Sequence, residues 1–201
     1  KILVRPFVSD TKNCLLFEPR FELNDTIMAS LQSALKNAIQ QVFELEDSEL
    51  SAEPLPSRDN RKSILFYEST EGGAGVLKQV LDADNFKRVI KSAIASCHYN
   101  CENFADLKRA PNSKEDCEAA CYDCLLSYTN QTDHALLDRK AIIDHLITLL
   151  ASEFSRSSGP VSRKDLYEQL KRLAGSELEL QWLDFIYTGG YILPTSAQQL
   201  L

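Results

Sequence analysis

The chain has 201 residues, 44% hydrophobic and 25% charged, with a formal net charge of −7. That length and composition describe a chain able to bury a core, expected as one domain with a small appendage. No stretch is apolar enough to span a membrane, which points to a cytoplasmic protein without a membrane partner. The acidic balance excludes a protein whose whole surface grips nucleic acid and leaves only local basic patches for that role.

The first half predicts an α/β (α+β) fold, a small β-sheet covered by helices. Ile2 to Val8 and Cys14 to Phe17 are strand-like runs separated by the turn-prone SDTKN, which suggests a hairpin. Cys14, inside an apolar run, reads as core. Asn24 or Asp25 can cap a long helix whose Ile27, Leu31, Leu35, Ile39 and Val42 form one stripe. Leu50 to Leu55 is a weaker strand, and the polar loop Ser57 to Asn60 leads into a stronger one at Ser63 to Tyr67.

That strand runs into EGGAG and then a helical pattern, Val76, Leu77, Val80 and Leu81. A strand, glycine turn and helix can offer free backbone N–H groups, so Gly72, Gly73 and Gly75 are candidate anion-binding positions. No Lys-Ser/Thr follows as in a nucleotide P-loop, and the spacing does not fit the dinucleotide fingerprint. The simpler reading is a turn of positive φ that lets the helix pack closely on the sheet. Helix continues from Asn85 to about Cys97, with Phe86, Val89, Ile90, Ala93 and Ile94 as its apolar face.

Five of the six cysteines follow closely: Cys97, Cys101, Cys117, Cys121 and Cys124, the last three as C-x3-C-x2-C in CEAACYDC. On a helix these offsets put three thiolates on one face, where a divalent ion could take its fourth ligand from Cys97 or Cys101. A disulfide framework is the alternative, but such dense cross-links suit small secreted domains that cannot bury a core. Zinc would tie the end of one helix to the start of another across the polar loop Asn100 to Asp116. Four cysteine ligands leave no open position for water, which marks a structural site. Acidic residues outnumber Lys108, Arg109 and Lys114 in this segment, so it is no phosphate-binding patch.

Beyond the cysteines, His134 and Asp138 are four apart and could share a helix face as an acid–base pair. The alternative function is therefore a hydrolase or nuclease acting at the GGAG turn with His134 and Asp138. No nucleophile or second metal cluster accompanies them. Leu136, Leu137, Ile142, Ile143, Leu146 and Leu149 read as a core-facing helix, so a structural network with Asp138 or Arg139 paired inside the domain is preferred.

GGAG after a strand, a helix ending in CHYN, and EDCEAACYDCLLSYTNQTDHALLDR together resemble the MrfA-type zinc-binding (MZB) domain over roughly residues 1 to 150. The resemblance implies Zn2+ held by Cys97, Cys117, Cys121 and Cys124, with Cys101 a spare thiol and His98 a still weaker ligand candidate. It also implies a module appended to superfamily-2 DEAD/DEAH-box helicases or found in DISARM DrmB-type anti-phage proteins. The implied partners are helicase domains of the same parent or a helicase subunit.

The MZB-like domain is expected over residues 1–154, a linker over 155–161 and a small helical appendage over 162–201. Ser162 with Asp165 form a capping box and Val161 with Leu166 a hydrophobic staple; Ser176 and Glu179 repeat the capping signal. Leu178, Trp182, Leu183, Phe185 and Ile186 give the last helix an apolar face, with Trp182 as a packing anchor. Arg163, Lys164, Lys171 and Arg172 make the preceding helix locally basic, candidate nucleic-acid contacts that predict weak, salt-sensitive DNA binding at most. The chain opens inside an apolar run without methionine and stops in AQQLL, as if cut from a longer parent. LPTSAQ resembles the lead-in to a C-terminal nuclease-like region of long MZB relatives, none of whose catalytic residues occur here. With no Walker A and no DEAD/DEAH-like motif, an ATP-driven motor would lie in other sequence. The expected function is a non-catalytic zinc module of a helicase-type, ATP-binding parent in DNA repair or anti-phage defence.

Overall fold

Three antiparallel strands and one long helix frame the larger part of the computed structural model, which describes residues 10–69, 75–153, 162–191 and 193–194. The expected strand Ile2 to Val8, Gly72, Gly73 and Val161 lie outside the described residues. The chain divides into two compact units, residues 1–154 and 155–201.

In the first unit, strands β1 (Cys14–Phe17), β2 (Leu50–Ser57) and β3 (Asn60–Glu68) pair in the order β1-β3-β2. The fold is thus α+β. β2 and β3 form a hairpin, while β1 reaches β3 from far away in sequence, with Cys14 opposite Tyr67 and Phe17 opposite Ile64. Alternation along β3 buries Ile64, Phe66 and Glu68 on one face. The same alternation corrects the reading of Cys14. On the edge strand β1, Cys14 and Leu16 face outward and are exposed, whereas Leu15 and Phe17 pack against the core.

Helix α1 (Asp25–Phe43) starts where the Asn24 side chain accepts from the Ile27 N–H at 2.9 Å. Its stripe of Met28, Leu31, Leu35 and Ile39 is buried against the sheet and the helix at Ala83–Ser96. Helices α2 (Val76–Val80) and α3 (Ala83–Ser96) are separated by the capping residue Asp82, so the expected single helical pattern breaks there. Helix α4 (Arg139–Ala151) is capped by Asp138 and adds Ile142 and Leu146 to the same core. Between α3 and α4 the described chain is turns, a 3-10 segment (Tyr128–Leu136) and an isolated bridge between Tyr99 and Asp106.

The second unit is a pair of helices, α5 (Arg163–Leu173) and α6 (Glu177–Thr188), started by Ser162 and Ser176 accepting from the N–H groups of Asp165 and Glu179. Leu170, Leu183, Ile186 and Leu193 are buried between them. Two helices can bury only one stripe of each. Because Leu183 and Ile186 point inward, Leu178, Trp182 and Phe185 point outward, and Trp182 is 43% exposed rather than the packing anchor its sequence suggests. No helix among the described residues is long and apolar enough to cross a membrane.

A buried ion pair joins the hairpin to the 3-10 segment: the Arg61 guanidinium donates to Asp133 Oδ1 at 2.7 Å, with side chains 1% and 11% exposed. Removing one partner strands a buried charge, so Asp133→Ala is expected to cost about 3–5 kcal/mol of unfolding free energy in denaturant titration. The double variant Arg61→Met with Asp133→Leu should cost markedly less.

Candidate metal centre

Helix α3 ends in a motif that aims a side chain. The Tyr99 N–H returns to Ile94 O at 3.1 Å and the His98 N–H to Ala95 O at 2.9 Å, the paired bonds of a Schellman termination. Residue 98 must then take the left-handed conformation, and His98 does, at φ 62°. Glycine ordinarily fills that position because a side chain there is strained by about 1–3 kcal/mol. A histidine at this place throws its ring out of the helix direction toward the turn that carries the cysteines.

That turn is not a helix. Cys117, Cys121 and Cys124 stand on turns and loop, which corrects the one-face helical reading. The Cys121 carbonyl accepts the N–H groups of Cys124, Leu125 and Leu126 at 3.0–3.1 Å, and the Cys121 N–H points at Cys124 Sγ at 3.0 Å. This curl brings the sulfurs together: Cys117 to Cys124 Sγ is 3.8 Å and Cys121 to Cys124 Sγ is 3.6 Å. His98 Nε2 lies 3.2 Å from Cys121 Sγ, and the ligand atoms of His98, Cys117, Cys121 and Cys124 all lie within 4.8 Å of one another. A zinc tetrahedron with Zn–S bonds of about 2.3 Å has sulfur–sulfur edges of about 3.8 Å. The four atoms match that size, and a Cys3His donor set is a known zinc site.

Protonation favours the same reading. Burial, helped by the nearby Arg139 cation, lowers the pKa of His98, so its imidazole is held in the neutral, ligating form. Burial raises the thiols of Cys117 and Cys124, so a divalent cation must displace tightly held protons and its binding weakens in acid. Cys97, the expected fourth ligand, is not among the converging atoms. It caps α3, is fully buried, and burial pushes its thiol up to about 12. Adjacent residues at a helix end point different ways, and the turn at residue 98 presents the histidine. Cys101 donates instead to Lys91 O at 3.3 Å.

Side chains from outside the turn hold it in place. The Asn37 side chain donates to Cys124 O at 2.8 Å and Ser33 Oγ to Leu125 O at 2.5 Å, both from α1. Arg139, 1% exposed, donates through Nε and Nη2 to Cys117 O, through Nη1 to Cys97 O, and through both Nη atoms to the Asp106 carboxylate at 2.8 and 3.1 Å. Such outer contacts orient the ligands of a metal site.

Residues 31–125 match the family model MZB, described as the MrfA Zn-binding domain. This segment is an MZB domain. The match covers a little under half of the chain and includes all four converging residues, so the zinc assignment stands on both geometry and family. No curated protein and no solved structure matches.

The other sequence candidates are engaged elsewhere. Of the glycine turn, Gly75 is described, at φ 72°, and the anion at its N–H is the protein's own. Glu68, buried at the end of β3, accepts from Gly75 and Leu77 N–H at 2.9 Å each and from the Asn13 side chain at 3.2 Å. Gly75 is therefore not a free anion site. His134 Nε2 lies 3.0 Å from both Ser127 O and Asn130 Oδ1, while Asp138 accepts the Lys140 N–H as helix cap, so the two have separate structural partners. In the second unit Arg163 donates to the carbonyls of Ile186 and Tyr187 at the end of α6, and Lys171 lies 5.0 Å over the Tyr167 ring; Lys164 and Arg172 are exposed.

Two variants of His98 separate its backbone from its ligand role. His98→Gly relieves the left-handed strain and should nevertheless lose stoichiometric zinc, while His98→Cys should keep it, both read by metal analysis after gel filtration. Zinc retained in His98→Gly but lost in Cys97→Ser would restore the four-cysteine set.

Burial pushes the Glu68 carboxyl up, but the N–H groups of Leu77, Gly75 and Val76 and the Asn13 amide outweigh it, and its pKa is lowered. A lowered folded pKa stabilises the protein above the unfolded value of about 4.3 and loses that stabilisation as pH falls through the folded one. Glu68→Gln should cost about 1–3 kcal/mol at neutral pH. In unfolding curves across pH, the gap to the wild type should close in acid.

Proposed function

We propose that this chain is the non-catalytic zinc module of a larger helicase-type protein in DNA repair or anti-phage defence. In this reading it stabilises the parent and helps it engage nucleic acid, helicase domains or a partner subunit. The observation that carries the reading is the Cys3His tetrahedron inside the MZB segment. Four protein ligands saturate zinc, so the ion has no position for a reacting water and acts as a cross-link. None of the six cysteines is paired in a disulfide, which suits a reducing, cytoplasmic compartment. Helicase context comes from the family resemblance, and the lack of motor motifs assigns ATP hydrolysis to the parent.

The test is a zinc titration with activity controls. One zinc per chain is expected, its removal by a chelator should melt the first unit, and neither ATP turnover nor DNA unwinding should accompany the purified chain. DNA binding should be weak and lost near physiological salt, given the net charge of −7. ATP turnover abolished by Gly75→Val would overturn the reading, as would full zinc in Cys121→Ser.

A further inference from the structure

Two uncovered tyrosines stand on the metal-bearing turn. Tyr122, between the ligands Cys121 and Cys124, is 61% exposed, and Tyr128, at the start of the 3-10 segment, is 83% exposed. Their ring centroids are 5.9 Å apart at 40°, and the Tyr122 ring meets the His134 ring edge-on at 5.9 Å. His134 is itself fixed by Ser127 and Asn130. The pair is therefore held in position without being packed, which apolar burial does not explain. Beside this turn opens a groove of about 610 Å3 whose walls include Cys117, Cys121, Glu115, Asp116, Glu118 and Asp123. Asp116 pairs with Arg109 and Glu118 with Lys140, while among the described residues no cation pairs with Glu115 or Asp123.

The chemistry of that surface selects its partner. The faces of exposed tyrosines attract cations, most effectively guanidinium. Carboxylates bind the same group by paired hydrogen bonds, and three thiolates with one neutral histidine leave a zinc site with net negative charge. A phosphate backbone would be repelled by the carboxylates and by the thiolate-ligated site.

We propose that Tyr122 and Tyr128, with Asp123 and Glu115, form a docking surface for an arginine-rich peptide segment of a partner protein. Arginine side chains stack on the tyrosine pair while their neighbours enter the acidic groove. The proposal rests on the zinc-module reading, because the metal turn is what fixes Tyr122.

Titration of the zinc-loaded, full 201-residue chain with a fluorescein-labelled peptide of alternating arginine and serine, and separately with labelled oligo-dT, decides it. Binding of the peptide, weakened by salt, is expected, with oligo-dT excluded. The double variant Tyr122→Ala with Tyr128→Ala should lose about tenfold in affinity, as should Asp123→Asn with Glu115→Gln, while Tyr122→Phe with Tyr128→Phe should bind like the wild type. Preference for oligo-dT would overturn the proposal in favour of a nucleic-acid platform. Peptide binding untouched by the tyrosine-to-alanine pair, or unchanged after zinc is stripped, would also overturn it. Zinc content measured in the same samples reports on the module reading separately: a zinc-loaded chain that ignores the peptide sinks only the docking surface.

Discussion

One guanidinium holds the metal-bearing region to the rest of the first unit. Arg139 has five N–H donors in a rigid plane, and five hydrogen bonds receive them: two to Cys117 O, one to Cys97 O and two to Asp106. Its backbone N–H goes to Ala119 O at 2.8 Å, and its guanidinium lies 5.2 Å from the Tyr99 ring. A cation this buried is tolerable because every donor is matched and a carboxylate neutralises it. The Asp106 carboxyl is in turn held below the usual range chiefly by its hydrogen bonds from Arg139. The end of α3, the loop after it and the start of the cysteine turn thus converge on the first residue of α4.

This arrangement divides the labour of a region with little apolar material. Tyr99, Leu125 and Leu137 reach the core, but half of the chain between α3 and α4 is exposed. Zinc closes one side of it and Arg139 the other, with Ser33 and Asn37 of α1 binding the carbonyls just after the third sulfur. Metal binding is therefore coupled to packing of the long helix as well as to the turn, which is why a chelator should act on more than the site.

Much of this was legible in the sequence. Stripe periodicity marked α1 and α3, alternation and turn residues marked β2 and β3, and the cysteine spacing with the family resemblance marked zinc. What escaped depended on relations that spacing does not encode. The identity of the fourth converging atom turns on how α3 terminates, since residues 97 and 98 point differently only once residue 98 is left-handed. A histidine two residues before an asparagine, at the end of an apolar helical pattern and without the expected glycine, was the available signal. The thiols converge through a tight turn and not through a helix face. At the glycine turn, the filled anion site depends on Glu68, whose carboxylate meets the Gly75 and Leu77 N–H groups only once the strand and the helix are packed together. Likewise, the apolar residues of α6 could be counted from sequence, but which stripe turns inward depends on its pairing with α5.

The acceptors chosen by Arg139 shape how this region can change over evolutionary time. Three of its five bonds end on main-chain oxygens, which any residue supplies, so substitutions at positions 97 and 117 leave those acceptors in place. The loop between them closes on its own backbone, with Asn100 N–H to Ala105 O, Leu107 N–H to His98 O and Cys117 N–H to Lys108 O. Only Asp106 contributes a side chain to the arginine. Drift, insertion and lengthening are consequently cheap from Pro111 to Glu115, where exposed chain can be altered without disturbing either anchor. That stretch also borders the acidic groove, so relatives could acquire new binding preferences there while keeping the same metal scaffold.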